Sequence, residues 1–119
     1  KKKKIDKPRN NVLLYKRLGK EFINKKNKQI KILENKILNN IDKFRPEIIL
    51  ISAGFDAHKR DPLAHINLES KDYYDLTKKI IEIANIHCQG RIISFLEGGY
   101  DLLALSESIK EHLLGLQEN

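Results

Sequence analysis

Two short stretches hold the residues able to do chemistry: "GFDAHKRDPL", 54–63, and "EGGYD", 97–101. In the first, Asp56, His58 and Asp61 fall within six positions. A carboxylate such as Asp56 is a hard anionic ligand for Zn²⁺ or a similar divalent ion, and a catalytic zinc keeps one position open for water. The same residue also reads as a turn-forming Asp satisfied by backbone N–H groups. Asp56-x-His58 would supply two ligands by itself, against the plainer reading of His58 as a polar surface residue of the loop. Asp61-Pro62 reads most simply as a turn that fixes the loop. In the second stretch, Gly98 and Gly99 permit tight backbone geometry, so Tyr100 can be presented into a cleft. A phenol O–H can donate to a developing oxyanion during attack on a carbonyl; otherwise Tyr100 packs its ring at the core edge. "EGG" lacks the spacing of a phosphate-binding loop. His65, His87 and His112 show no partner spacing and read as structural or exposed.

Positioning these residues falls to two apolar runs. "EIILIS", 47–52, and "RIISFLE", 91–97, each read as a strand buried on both faces of a parallel sheet. Both polar clusters follow directly, at the carboxyl ends where open parallel sheets bind ligands. Upstream, "NVLLY", 11–15, reads as a short strand broken by "RLG", 17–19. From about Glu21 to Phe44, Ile30, Leu33, Ile37, Ile41 and Phe44 recur at helical steps, and Pro46 stops the helix. Ser70 is positioned to cap a helix to about His87, with Leu76, Ile80, Ile83 and Ala84 inward and "QG", 89–90, as its stop. A last helix runs from about Leu102 to Leu114, with Leu102, Leu105, Ile109 and Leu113 on one stripe. The alternation of helix and strand predicts an α/β fold with parallel strands. Two or three strands leave raw sheet edges, so further strands are expected upstream.

The 119 residues suffice for one domain with one modest core. A net charge of +7, with "KKKK" at the start and "KKNKQIK" soon after, suits anionic partners. No aromatics interleave with these lysines as a base-stacking platform would require, which favours a solvated face over nucleic-acid binding. Cys88 is alone, so no internal disulfide forms, and a reducing, cytoplasmic setting is expected. No apolar run approaches the roughly 18 residues of a membrane span, and the Lys-rich start lacks the apolar stretch of a signal peptide. The chain has no methionine, even at position 1, so it is expected to be part of something longer.

"ISAGFDAHKRDPLAHINLE" and "FLEGGYDLLALSESI" together resemble the C-terminal part of the histone deacetylase and acetylpolyamine amidohydrolase superfamily, nearer its class II and bacterial branch. The resemblance runs from about Phe44 to Leu116 and is weak before residue 44; residues 1–20 are a basic lead-in to a single partial domain. It implies the C-terminal portion of an arginase–deacetylase-type parallel sheet flanked by helices. By this resemblance Asp56 is a zinc ligand, and Tyr100 polarises the acetyl carbonyl and stabilises the oxyanion. Leu63 is a wall of the channel that receives the acylated amine, flanked by Gly98 and Gly99. His58 is then no ligand, and Asp61 supports the loop. The implied reaction is hydrolysis of acetyl-lysine or acetylpolyamine to acetate and free amine, using Zn²⁺ or another divalent metal. The family's other ligands, an Asp-x-His pair, and its tandem His-His lie upstream of the matched region. No "HH" occurs here, and the only Asp-x-His is the one at Asp56. The family function is therefore expected of a parent protein, with the isolated chain inactive. The alternative is a non-catalytic remnant or interaction module of the same fold.

Overall fold

A computed structural model describes residues 12–15, 30–64 and 66–118, without the side chains of 12–15 and Leu33. Apart from 12–15, the lead-in with its "RLG" break lies outside the described residues, as do the proposed first helical turns over 21–29 and His65. Three parallel strands form one sheet: β1 (Val12–Tyr15), β2 (Ile48–Ala53) and β3 (Ile92–Leu96), in the order β1-β2-β3. A helical run, α1 (30–44), precedes β2; its middle, Leu33–Leu38, is π-helical and its end, Asn39–Phe44, is α-helical. Between β2 and β3 runs α2 (Ser70–His87), and α3 (Leu102–Gln117) follows β3. This is the expected α/β architecture. No helix among the described residues is long and apolar enough to cross a membrane.

The core explains which apolar residues chose which face. Ile37 and Ile41 of α1 pack with Ile49, Ile51 and Ala53 of β2 and with Tyr73, Leu76, Ile80 and Ala84 of α2. Alternate strand residues point to opposite faces, so this core lies on one side of the sheet. The expectation that both strands are buried on both faces is corrected by β3: Ile93 is 46% exposed and Phe95 52% exposed. These two pair with Leu50 and Ser52 on the face turned away from the core. An apolar run states that a strand tolerates burial; it cannot state what covers it.

The helix boundaries follow from local chemistry. Arg45 ends α1 in the left-handed conformation (φ 57°), its N–H donating to the Ile41 carbonyl, and Pro46 then blocks continuation. The cap of α2 is Glu69, not Ser70. The Glu69 carboxylate accepts an N–H of the first turn, and Asp72 Oδ2 accepts the Glu69 N–H at 2.7 Å, a reciprocal capping box. At the other end, Gln89 (φ 55°) and Gly90 (φ 72°) turn the chain out of the helix, with the Gly90 N–H on the Ala84 carbonyl.

The last helix departs most from its expected stripe. Leu105 and Ile109 pack against the core as expected, but Leu102 is 81% and Leu113 51% exposed, and the buried positions are Ala104, Ser108, His112 and Gly115. Small residues win because α3 approaches α2 closely: a Cβ on Gly115 would sit 2.9 Å from Thr77 Cβ. His112 is the polar joint of this packing. The Thr77 hydroxyl donates to the Tyr73 carbonyl (2.6 Å), so it accepts from His112 Nδ1–H at 2.7 Å. That leaves His112 Nε2 to accept from Ser94 Oγ of β3 at 2.8 Å. One neutral imidazole thus ties α2, α3 and β3, and its burial lowers its pKa to about 4.

Candidate active site

The two polar clusters leave the sheet side by side. The Glu97 N–H donates to the Ala53 carbonyl (2.9 Å) and the Phe55 N–H to the Gly98 carbonyl (2.8 Å), extending the β2–β3 pairing past the strand ends. Phe55 anchors the first loop below, its ring centroid 5.0 Å from that of Tyr73 and 5.6 Å from that of His112. Backbone bonds close this loop on itself: the Lys59 N–H reaches the Leu68 carbonyl, and the Leu68 N–H the Ala57 carbonyl. It therefore forms a buried shelf, on which Phe55, Asp56, Ala57, His58 and Asp61 are all shielded from solvent.

Asp56 is only 2% exposed, and it faces the second loop. A Cβ built on Gly98 would lie 3.3 Å from Asp56 Oδ2 and 3.3 Å from Tyr100 Oη. The carboxylate and the phenol therefore lie no farther apart than twice that distance, both against a position that glycine leaves open. Beneath them, the buried Tyr73 phenol has its pKa raised, first by desolvation and then by the charges of Asp56 and Asp61.

Gly99 makes the presentation of Tyr100 possible. It sits at φ 145°, and a Cβ there would come within 2.6 Å of Leu105 Cδ1. Asp101 then caps α3, its Oδ1 accepting the Ala104 N–H at 2.8 Å. Tyr100 itself is 53% exposed. Leu63 is exposed as well, so the geometry places it at the surface of the same loop that holds Asp56.

His58 is engaged elsewhere. Its Nδ1 accepts the Arg60 N–H at 3.0 Å, and its Nε2 meets Ser70 Oγ at 3.1 Å. Ser70 Oγ in turn donates to Glu107 Oε1 (3.2 Å), which also accepts from Arg60 Nη2 (2.7 Å). Burial, with the Arg60 charge next, lowers the His58 pKa. Both ring nitrogens are occupied, so the local Asp56-x-His58 ligand pair does not form. The buried ring also replaces the reading of His58 as a surface residue. His87 contacts Asp42 on α1 (2.7 Å) and stands apart from this site.

Asp61 does more than its turn predicts. Oδ1 accepts the Leu63 N–H at 2.8 Å, as an Asp-Pro turn suggests. Oδ2 accepts the Tyr100 N–H at 2.9 Å, a link between loops that sequence reasoning missed. The two residues are 39 positions apart, and only the parallel pairing of β2 with β3 brings them together.

A divalent metal is tested against these residues by its donor set. Among the described residues no group of three or more His, Cys, Asp or Glu side chains can hold a metal ion. Asp56 offers one buried carboxylate, and structural or catalytic zinc needs three or four protein ligands. The described residues therefore do not make a metal site by themselves.

The sequence profile of the family described as "Histone deacetylase domain" matches residues 9–116. The chain is 42% identical over 88 residues to "Type-2 histone deacetylase 2" of Dictyostelium discoideum, covering 71% of this chain and 5% of that protein. It is 44% identical over 85 residues to "Histone deacetylase 14, chloroplastic" of Arabidopsis thaliana, covering 71% of this chain and 20% of that protein. The chain thus spans a fifth or less of the length of these two relatives. Among solved structures, the HDA15 HD domain superposes with a TM-score of 0.64 at 31% identity, over 73% of this chain and 24% of that one. The fold is accordingly part of the arginase–deacetylase type. With a matching profile over residues 9–116, nearly all of its length, this chain belongs to the histone deacetylase domain family.

Proposed function

We propose that this chain is the C-terminal part of a zinc-dependent hydrolase that cleaves acetylated amines, acetyl-lysine or acetylpolyamine, to acetate and the free amine. One observation carries the reading: the Asp56 carboxylate and the Tyr100 hydroxyl both lie 3.3 Å from the vacant Cβ position of Gly98. In this reading Tyr100 Oη donates to the acetyl oxygen as it becomes negative, a contact stronger in the transition state than before it. Asp56 serves as one metal ligand. Leu63 supplies an apolar wall to the channel, and Gly98 and Gly99 leave room for the acylated amine to pass. The other ligands and the general base come from outside these residues, so the isolated chain is inactive. The buried, unpaired thiol of Cys88 supports a reducing, cytoplasmic setting.

The test uses the full-length protein, assayed on an acetyl-lysine peptide and on an acetylpolyamine. Asp56→Ala and Tyr100→Phe should each abolish most of the activity; wild-type rates in both would overturn these roles. The incomplete ligand set among the described residues supports a second reading, a non-catalytic interaction module of the same fold. The coding sequence upstream separates the two. An in-frame Asp-x-His and His-His favour the enzyme, and a start at Lys1 favours the module.

A further inference from the structure

We infer that Asp61 is the positioning residue of Tyr100, and that one carboxylate sets both the phenol and the channel wall at Leu63. The inference rests on the proposed function, because it assigns a purpose to holding Tyr100 still. Tyr100 has little packing of its own: it is 53% exposed and follows a glycine at φ 145°. A side chain in such a place wanders unless its backbone is fixed from outside. Asp61 provides that fixing. Its Oδ2 accepts the Tyr100 N–H at 2.9 Å while its Oδ1 accepts the Leu63 N–H at 2.8 Å.

Asp61 is itself held. It is 6% exposed, and its own N–H donates to the His58 carbonyl at 2.9 Å. Hydrogen bonds from backbone N–H to a carboxylate are charge-assisted and roughly twice as strong as neutral ones. A residue needed only to shape the Asp-Pro turn would use Oδ1 and leave Oδ2 to water. Asparagine is therefore an informative replacement. It keeps the shape, but its amide offers one oxygen where two N–H groups point, and its NH₂ would face the other donor. The shelf then lets go of either Leu63 or Tyr100.

Two measurements on the full-length protein decide this. In the unmutated protein the Tyr100 amide should be protected from hydrogen exchange despite the exposure of its side chain. Exchange at the rate of a free loop would overturn the inference without any variant. Second, kcat and KM on an acetyl-lysine peptide are compared for Asp61→Asn, Tyr100→Phe and the double variant. Asp61→Asn should lower kcat about ten- to a hundredfold, the scale of a misplacement near 1 Å, and speed Tyr100 amide exchange. Because Asp61 reaches the chemical step through the phenol, kcat of the double variant should be no lower than that of Tyr100→Phe, and any loosening of Leu63 should show in KM instead. Multiplying losses would overturn the inference and make Asp61 a generally structural residue. A Tyr100→Phe protein with wild-type kcat would instead overturn the proposed function, and amide exchange would still decide whether Asp61 holds that backbone.

Discussion

The loops after β2 and β3 meet at one point but are built in opposite ways. The first is long, bonded to itself across Ala57–Leu68 and Lys59–Leu68, and buries its acid. The second is a few residues of glycine and exposed tyrosine. One side of the site is therefore a rigid wall, and the other is a hinge that borrows its order from the wall through Asp61. The contrast teaches that burial and function need not coincide. The acid is fixed by packing, whereas the exposed phenol, which in the proposed function meets a substrate entering from solvent, is fixed by a hydrogen bond behind it.

The largest effect should come from the wall. Asp56→Ala removes the carboxylate 3.3 Å from the Gly98 Cβ position and should reduce activity of the full-length protein by more than Tyr100→Phe does. Loss of one oxyanion donor is worth roughly 10²–10³ in kcat, so the ordering is measurable with a single substrate. An equal or reversed ordering would mean that the acid is not a metal ligand.

The glycine pair separates activity from stability. At Gly99, φ 145° and the 2.6 Å approach to Leu105 Cδ1 make Gly99→Ala a backbone problem, destabilising by about 1–3 kcal/mol in thermal denaturation. At Gly98 the added Cβ sits 3.3 Å from both functional groups, and no left-handed φ is involved. Gly98→Ala should lower the melting temperature less than Gly99→Ala and remove activity. If both variants melt early and alike, the space beside Gly98 belongs to the core and not to a site.

The strands and the acids after them were legible because a buried strand and its polar exit leave a sharp boundary in sequence, as at Ala53–Gly54. Tyr100 was legible for a similar reason, standing after two glycines. What was not legible depended on partners. The α3 stripe holds at Leu105 and Ile109 and fails at its ends, because hydrophobic periodicity weighs Leu102 and Leu113 above Ala104, Ser108 and Gly115, although close helix packing selects the small residues. Glu69 was overlooked as a cap because Ser is the commoner N-cap and stood next to it. The faces of β3 and the second oxygen of Asp61 both needed the register of the sheet, which no local pattern contains.

Beneath both loops lies His112, and here the expected effect is on stability. Its folded pKa of about 4 lies below the ordinary value of 6.5, because burial disfavours the imidazolium. The unfolded chain therefore binds the extra proton first. Stability should fall as pH drops from about 6.5 and level off below about 4, with a total near 3 kcal/mol from this group. Comparing urea unfolding of wild type and His112→Gln across that range isolates it. A wild-type curve no steeper than the variant's would show that the ring is not buried neutral between Thr77 and Ser94.

The smallest effect should come from the outer brace of the first loop, where Arg60, Glu107, Ser70 and His58 form a chain of contacts. The Arg60 and Glu107 side chains are 39% and 45% exposed, so water and salt screen their 2.7 Å pair, and such pairs contribute about 0–1 kcal/mol. Glu107→Gln should accordingly change stability by less than about 1 kcal/mol and leave activity intact, since it touches neither Asp56 nor Tyr100. It should still be visible at His58. The Glu107 charge raises that imidazole's pKa against burial and Arg60. Removing the charge should lower the His58 pKa further, which proton NMR titration can read. A loss of activity comparable to that of Asp61→Asn would mean that the shelf is held from its outer edge, and the contrast between a self-supporting wall and a borrowed hinge would fail.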